Sequence, residues 1–221
     1  MQIELDGIKL FYEKSGEGEP LILIHGNGEN HTIFDKTVAV LEKKYCCYAI
    51  DSRGHGQSTP VLEYHYTDMA RDVVLFMKKL KLRNVTLCGF SDGGIVGILA
   101  AAHSKRVTRL ITCGANVRPE GLRLLSYLGI QARAFFLREP LWVLMAREPH
   151  ISDNTLRKIR AKTLVLAGEH DMITEKETRH IAETIPGAEM KILPGETHGS
   201  YIIHSEKLGE MIMGSDPITN L

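Results

Sequence analysis

The sequence lacks any excess of charge of one sign, with 27 basic and 27 acidic side chains and a formal net charge of +0. This balance excludes the strong field that attracts nucleic acid or an anionic membrane surface. No apolar run approaches the roughly 20 residues that a membrane-spanning helix needs. The first residues, 1–6, lack the basic and then apolar segments of a secretory signal peptide. We therefore expect a soluble cytoplasmic protein that neither binds nucleic acid nor spans a membrane.

Cysteine is also scarce, since the chain has only Cys46, Cys47, Cys88 and Cys113. All four fall within predicted β-strands and lack the spacing of metal ligands. Buried free thiols in a reducing compartment are favoured over a disulfide. The cysteine spacing therefore predicts no metal site. A chain of 221 residues with 43% hydrophobic content can form one substantial core. We predict a single domain, 1–221.

Short apolar runs alternate along the chain with amphipathic segments. The predicted strands are 2–6, 9–13, 20–24, 45–50, 84–88, 107–113, 163–167 and 189–193. The predicted helices are 32–44, 67–81, 94–102, 176–184 and 205–213. Strands that alternate with helices predict an α/β fold, with a mostly parallel sheet and helices on both faces.

One interval, 117–155, interrupts the alternation with a cluster of large apolar side chains. Pro119 and Pro140 each stand where a helix could begin. We interpret the interval as a short helical cap over the active end of the sheet. An ordinary crossover helix with a long loop is the alternative, although it explains the density of leucine and phenylalanine poorly.

The most informative motif is Gly89-Phe90-Ser91-Asp92-Gly93, which follows a predicted strand and precedes a helical run of small residues. A serine on so sharp a turn adopts a strained backbone, and glycine on both sides removes the resulting clashes. The hydroxyl then stands clear of the sheet. Ser91 is therefore the predicted nucleophile.

A serine hydroxyl needs a base to accept its proton and an acid to orient that base. Asp171 and His198 follow the last two predicted strands, where reactive groups of an open α/β sheet collect. The chain order Ser, Asp, His differs from that of the two large serine protease groups. Glu169 is the alternative acid and His170 the alternative base.

Negative charge that develops on a carbonyl oxygen needs hydrogen-bond donors, which form an oxyanion hole. The backbone N–H of Asp92 opens the helix after the nucleophile, where amides are unpaired. The second donor should come from His25-Gly26-Asn27-Gly28, and we favour the N–H of Asn27 over that of Gly28. A simple glycine turn is the alternative interpretation.

Five motifs, taken in chain order, resemble those of the α/β-hydrolase superfamily. They are His25-Gly26-Asn27-Gly28, Asp51-x-Arg53-Gly54-x-Gly56-x-Ser58, the motif around Ser91, Gly168-x-x-Asp171 and His198. The resemblance covers nearly the whole chain. It implies a sheet of about eight strands, chemistry without a cofactor and an acyl-enzyme on Ser91. Within the superfamily the chain looks like the small esterases, including the biphenyl-hydrolase-like group that cleaves amino-acid esters. The cap looks shorter than the family usually carries.

That group also has Ser-Asp-Gly-Gly at the elbow, so the resemblance implies that Asp92 could bind an ammonium group of the substrate. The alternative is that Asp92 stabilises the start of its helix. The predicted substrate-binding residues are Asp92, Phe136, Trp142 and Met172. A shortened cap would leave apolar side chains exposed, and such a patch could form a homo-oligomer interface.

Together these features predict a serine hydrolase that cleaves a small carboxylic ester. One alternative is a lyase or C–C hydrolase that uses the same residues on a small keto acid. Its substrate is anionic and would require cap arginines that face Ser91. The candidates are Arg118, Arg123, Arg133, Arg138 and Arg147. A more remote alternative is a non-catalytic sensor of a small ligand.

Overall fold

A computed structural model describes residues 1–214 of the chain. Its eight strands form one sheet in the order β1-β2-β4-β3-β5-β6-β7-β8. The strands are β1 Gln2–Leu5, β2 Ile8–Ser15, β3 Glu19–Ile24, β4 Tyr45–Ile50, β5 Val85–Phe90, β6 Val107–Cys113, β7 Lys162–His170 and β8 Glu189–Thr197. β2 pairs antiparallel with both of its neighbours, β1 and β4, and the remaining pairs are parallel. The predicted α/β-hydrolase architecture is confirmed.

Eight α-helices connect or flank these strands within the described residues. They are α1 Asp35–Leu41, α2 Tyr66–Lys79, α3 Asp92–His103, α4 Leu124–Leu137, α5 Pro140–Arg147, α6 Asp153–Leu156, α7 Glu175–Thr184 and α8 Lys207–Gly214. None of those in residues 1–214 is long and apolar enough to cross a bilayer.

Successive side chains of the central strand β3 point to opposite faces of the sheet, and the core accordingly has two layers. Leu21 and Leu23 face the layer that contains α1 and α8, whereas Ile22 and Ile24 face the layer that contains α2, α3 and α7. All four side chains are 0% exposed. A strand covered on both faces explains why this part of the sequence is continuously apolar.

Three predicted boundaries near the site differ from those of the structure. The predicted helix 32–44 begins with a 3₁₀ turn, His31–Phe34, and only then becomes α1. Strands β7 and β8 continue beyond the predicted ends at residues 167 and 193, because pairing resumes after an irregularity and joins His170 to Thr197. Residues 168–170 and 194–197, which the sequence predicted to lie in loops, therefore extend the sheet, and Asp171 and His198 follow directly after its last two strands.

The interval after β6 is helical, as predicted, with α4, α5 and α6 preceded by a 3₁₀ turn that begins at Pro119. Pro140 occupies the first turn of α5. The backbone N–H of Ile151 donates to the carbonyl of Val117 at 2.9 Å, so the two ends of the insert meet. The carboxylate of Glu148 accepts from the backbone N–H of Tyr66 at 3.1 Å and ties the insert to α2.

The outer face of α4 is the largest exposed apolar feature of the insert. Its side chains recur at three- and four-residue spacing and are exposed at Leu124, Leu125, Leu128, Ala132, Phe135 and Phe136. The inner face includes Ile130, which packs with Leu122 and Ile173. A helix that is apolar on two sides normally has both sides covered.

Candidate active site

The nucleophile elbow has the strained backbone that its sequence predicts. Ser91 has φ 52° and ψ −117°, between the end of β5 and the start of α3. A Cβ on Gly89 would lie 2.0 Å from the carbonyl oxygen of Gly93, and a Cβ on Gly93 would lie 2.0 Å from that of Ile24. Any side chain at either position would therefore displace the backbone. The turn requires both glycines.

The three side chains proposed from the sequence lie in one hydrogen-bonded chain. Ser91 Oγ is 3.1 Å from His198 Nε2, and His198 Nδ1 is 2.6 Å from Asp171 Oδ1. The Asp171 side chain is 0% exposed, whereas that of His198 is 21% exposed. This gradient places the acid inside the protein and leaves the face of the base that meets a substrate accessible.

Backbone amides hold Asp171 in this orientation. Its Oδ1 accepts from the N–H of Ile173 at 2.9 Å, and its Oδ2 accepts from the N–H of Gly168 at 3.3 Å. The imidazole of His198 occupies space that a side chain at position 114 would fill, since a Cβ on Gly114 would lie 2.8 Å from its Cε1. The imidazole of His198 therefore fits here only because residue 114, at the end of β6, is a glycine.

The alternative acid and base lie elsewhere. Glu169 and His170 are both exposed at the end of β7. Glu169 Oε2 accepts from the N–H of Gly195 at 2.8 Å and so joins the two neighbouring strand ends. Glu169 thus has a structural contact away from Ser91.

Hydrogen bonding in the loop after β3 distinguishes the two candidates for the second oxyanion donor, the N–H groups of Asn27 and Gly28. The N–H of Gly28 donates to His55 Nε2 at 3.2 Å, and that of Gly26 donates to Glu29 Oε2 at 2.9 Å. Within residues 1–214, the N–H groups of Asn27 and Asp92 have no protein acceptor. These are the two donors that the sequence favoured.

The carboxylate of Asp92 is enclosed beneath the cap. Its Oδ2 accepts from Asn27 Nδ2 at 2.9 Å, and its Oδ1 accepts from the hydroxyl of Tyr66 at 2.8 Å. Burial raises the pKa of this carboxyl, while the two hydrogen bonds act in the opposite direction. Asp92 thus connects the loop of Asn27 to the first turn of α3.

A buried imidazole supports the same loop from behind. His25 Nε2 accepts from the N–H of Ser52 at 3.0 Å, and its Nδ1 lies 2.7 Å from the carbonyl of Gly26. Burial lowers the pKa of His25 from 6.5 to about 4. The ring is therefore neutral at neutral pH, with Nδ1 as donor and Nε2 as acceptor.

A pocket of about 360 Å³ lies between the triad and the cap. Its lining comprises Asn27, Glu29, Phe90, Ser91, Ser126, Ile130, Arg133, Trp142, Met145, Met172, His198, Gly199 and Ile203. The predicted substrate-binding residues Trp142 and Met172 belong to it. Asp92 instead borders a much smaller cavity, of about 10 Å³.

Phe136 does not line this pocket, so its prediction as a substrate-binding residue is corrected. It lies on the outer face of α4 and is 77% exposed. The error has a simple cause. The composition shows that the insert is apolar. Because α4 has apolar side chains on both of its faces, however, composition does not show which face lines the pocket.

The pocket contains two charged residues, of which sequence reasoning missed Glu29 and did not single out Arg133 from the other cap arginines. Glu29 is half-buried beside the oxyanion loop, and burial raises the pKa of its carboxyl. Arg133 projects from α4, with its guanidinium carbon 5.0 Å from the centroid of the Trp142 ring. Arg133 was one of five candidate cap arginines, and Glu29 follows the His-Gly-Asn-Gly motif directly. The position of Glu29 directly after that motif is the sequence signal that could have identified it.

No cluster of three or more His, Cys, Asp or Glu side chains that could hold a metal ion occurs within residues 1–214. The four cysteines are free and buried in strands, as predicted.

Comparisons with known proteins identify the family to which the fold belongs. A family model described as alpha/beta hydrolase fold matches residues 19–128. The Homo sapiens protein named serine hydrolase BPHL is 26% identical, and the match covers 95% of this chain and 84% of that protein. The AB hydrolase superfamily protein YisY of Bacillus subtilis (strain 168) is 29% identical, with 93% and 94% covered.

Solved structures show the same fold. The esterase EaEST from Exiguobacterium antarcticum superposes with a TM-score of 0.79 at 25% identity, covering 95% of this chain and 96% of that one. An enol-lactonase from Burkholderia xenovorans LB400 has a TM-score of 0.81 at 23% identity, with 99% and 100% covered. The chain belongs to the α/β-hydrolase superfamily, and it is a hydrolase enzyme.

Proposed function

We propose that the protein is a serine esterase that cleaves small carboxylic esters through an acyl-enzyme on Ser91. The observation that carries the proposal is the continuous contact from Ser91 Oγ to His198 Nε2, at 3.1 Å, and from His198 Nδ1 to Asp171, at 2.6 Å. A hydroxyl, a base and a buried acid in this order form the arrangement that activates serine.

In the first step, His198 Nε2 takes the proton of Ser91 as its oxygen attacks the ester carbonyl carbon. The negative charge passes to the carbonyl oxygen, where the N–H groups of Asn27 and Asp92 donate to it. The imidazolium, held by Asp171, then gives its proton to the leaving alcohol. The C–O bond to that alcohol breaks, and the acyl group stays on Ser91.

In the second step, His198 takes a proton from water, and the resulting hydroxide attacks the acyl carbon. The tetrahedral intermediate collapses, the bond to Ser91 breaks and His198 returns the proton to the serine oxygen. The free acid leaves. Each proton that His198 accepts is passed on within the same step, so the enzyme returns to its starting state.

We propose that Asp92 acts chiefly as a positioning residue for the oxyanion loop. Both of its oxygens already accept hydrogen bonds, from Asn27 Nδ2 and from the Tyr66 hydroxyl. A substrate ammonium would have to share these oxygens or displace their donors. Contact with an ammonium group therefore has less support than the positioning role.

The second candidate function is a lyase or C–C hydrolase that acts on a small keto acid. The observation that favours it is Arg133 in the pocket lining, because an anionic substrate requires a cation there. A non-catalytic sensor has less support, since the geometry of the three side chains is complete.

The test is the intact mass of the protein after treatment with a fluorophosphonate probe. We expect one covalent adduct on the wild type and none on Ser91→Ala. Release of p-nitrophenol from the acetate and butyrate esters then separates an esterase from a lyase. Labelling without ester turnover would favour the lyase, and absence of both would refute the proposed function.

We also propose a homodimer through the outer face of α4. The six side chains of that face carry no charge, so pairing two copies would desolvate no ionic group. Leu125 is 85% exposed and Phe136 is 77% exposed, a degree of exposure that marks interaction surfaces when it is contiguous.

We propose the cytoplasm as the location of the protein. The four cysteines are buried and free, as expected in a reducing compartment.

A further inference from the structure

Arg133 lies on the side of α4 that faces the catalytic serine. Ser126, Ile130 and Arg133 succeed one another at four- and three-residue spacing, and all three line the pocket that contains Ser91 and His198. The helix therefore presents a hydroxyl, an apolar side chain and a guanidinium to the space above the triad.

The guanidinium of Arg133 is held by an aromatic face and is otherwise unpaired. It lies 5.0 Å from the centroid of the Trp142 ring, a distance typical of a cation–π contact. Within residues 1–214, no carboxylate lies within ion-pairing distance of Arg133. By contrast, Arg53 pairs with Asp72 at 2.7 Å. A contact of this kind uses none of the guanidinium N–H donors as a hydrogen bond, so these donors remain available to a ligand.

The other charged residue of the lining lies on the opposite side of the pocket. Glu29 follows the oxyanion loop, where its Oε2 accepts from the N–H of Gly26 at 2.9 Å. An anionic group on a substrate would be repelled at this side and attracted to the cap side. The pocket is thus polarised, with its positive end formed by Arg133.

We propose that Arg133 determines substrate specificity by binding a free carboxylate at the far end of the substrate's acyl group. The preferred substrates would then be half-esters of dicarboxylic acids. The planar fork of a guanidinium matches the two oxygens of a carboxylate, and the Trp142 ring holds that fork in place. This inference rests on the esterase function proposed above.

The test compares three esters of matched chain length: monoethyl adipate, its methyl ethyl diester and ethyl hexanoate. Acid release in a pH-stat gives kcat and KM for the wild type, for Arg133→Gln and for Arg147→Gln. Arg147 is an exposed arginine of the same cap that lies outside the pocket, so its variant is the matched control. Arg133→Lys retains the charge without the fork.

We expect Arg133→Gln to lower kcat/KM for monoethyl adipate by about five- to tenfold, mainly through KM, because the ion pair is partly open to solvent. The two uncharged esters should change little, and Arg147→Gln should behave as the wild type. Added salt should weaken the preference for the charged ester. Arg133→Lys should restore only part of it.

Equal losses on all three esters, or no loss on the charged one, would overturn the role of Arg133. If the wild type cleaves the uncharged esters but shows no preference for the charged one, this inference fails while the esterase function stands. If no ester is cleaved and Ser91 is not labelled by the fluorophosphonate, both fail.

Discussion

Two regions of the molecule differ in how tightly their residues are packed. The first is the edge of the sheet that carries Ser91, Asp171 and His198, here called the rim, and the second is the cap above it. At the rim, Asp171 is fully enclosed and Gly93 has no room for a single carbon. In the cap, α4 packs through one face only, and Leu125 on the other face is 85% exposed. The residues that we propose for catalysis thus lie in closely packed surroundings. The cap residues that we propose to contact the substrate lie in a thin layer, which we expect to tolerate substitution better.

Replacing the nucleophile should have the largest effect. Ser91→Ala should lower kcat by about 10⁴- to 10⁶-fold, since the remaining groups can only bind and polarise the ester. The fold should remain, because the hydroxyl makes no contact on which the core depends. Steady-state ester hydrolysis with thermal unfolding as a control would measure both. Residual turnover near that of the wild type would disprove the role of Ser91.

Glycine substitutions compare the two regions directly. Gly93→Ala should destabilise the protein by about 3 kcal/mol, because the new Cβ would lie 2.0 Å from the carbonyl oxygen of Ile24. Gly129→Ala in α4 should stabilise it by about 0.5–1 kcal/mol, since its Cβ would meet nothing closer than 3.4 Å. Urea denaturation measures both. Similar effects at the two positions would contradict the contrast between rim and cap.

Acid should weaken the rim through His25. Burial lowers the pKa of His25 from 6.5 to about 4, so the unfolded chain takes up a proton at a higher pH than the folded one. The stability contributed by the neutral ring is present above pH 6.5 and is lost as the pH falls towards about 4. The difference amounts to about 3 kcal/mol.

Urea denaturation at a series of pH values should show this loss in the wild type. His25→Asn, which has no group that titrates in this range, is the control and should show a flatter dependence. Identical slopes for the two proteins would argue against a proton-linked role for His25.

Substitution of Asp92 should have a smaller effect on catalysis. Asp92→Asn weakens the hold on Asn27, so kcat/KM should fall about tenfold on an α-amino ester and equally on the matching ester without the amine. Tyr66→Phe removes one of the same hydrogen bonds and should show the same pattern in a milder form. A loss confined to the amino ester would instead favour the ammonium-binding role.

The outer face of α4 should affect assembly with the least effect on chemistry. Leu128→Lys should convert a dimer to a monomer in size-exclusion chromatography with light scattering, while ester turnover stays near that of the wild type. Leu62→Lys is the matched control, since Leu62 is 92% exposed on a different surface. A wild-type monomer would exclude the proposed interface.

The sequence predicted the rim much better than the cap, and the reason is physical. Ser91, Asp171 and His198 stand at strand ends, and glycines mark the places where backbones approach closely. Strand endings themselves were missed, because the pairing of His170 with Thr197 depends on a neighbouring strand that periodicity does not reveal. In the cap, apolar composition predicted helices correctly but placed Phe136 in the pocket. Both sides of α4 are apolar, and only packing distinguishes them.

The hydrogen bond between Ile151 and Val117 closes the insert at its base. The 35 residues from 117 to 151 therefore form an excursion that starts and finishes at one spot on the scaffold. An insertion whose two ends meet can be replaced by another segment without moving the strands on either side of it. We expect that exchanging it for a longer or shorter segment would change which substrates enter the pocket and would leave the contacts among Ser91, His198 and Asp171 unchanged. Directed evolution of this chain would begin there.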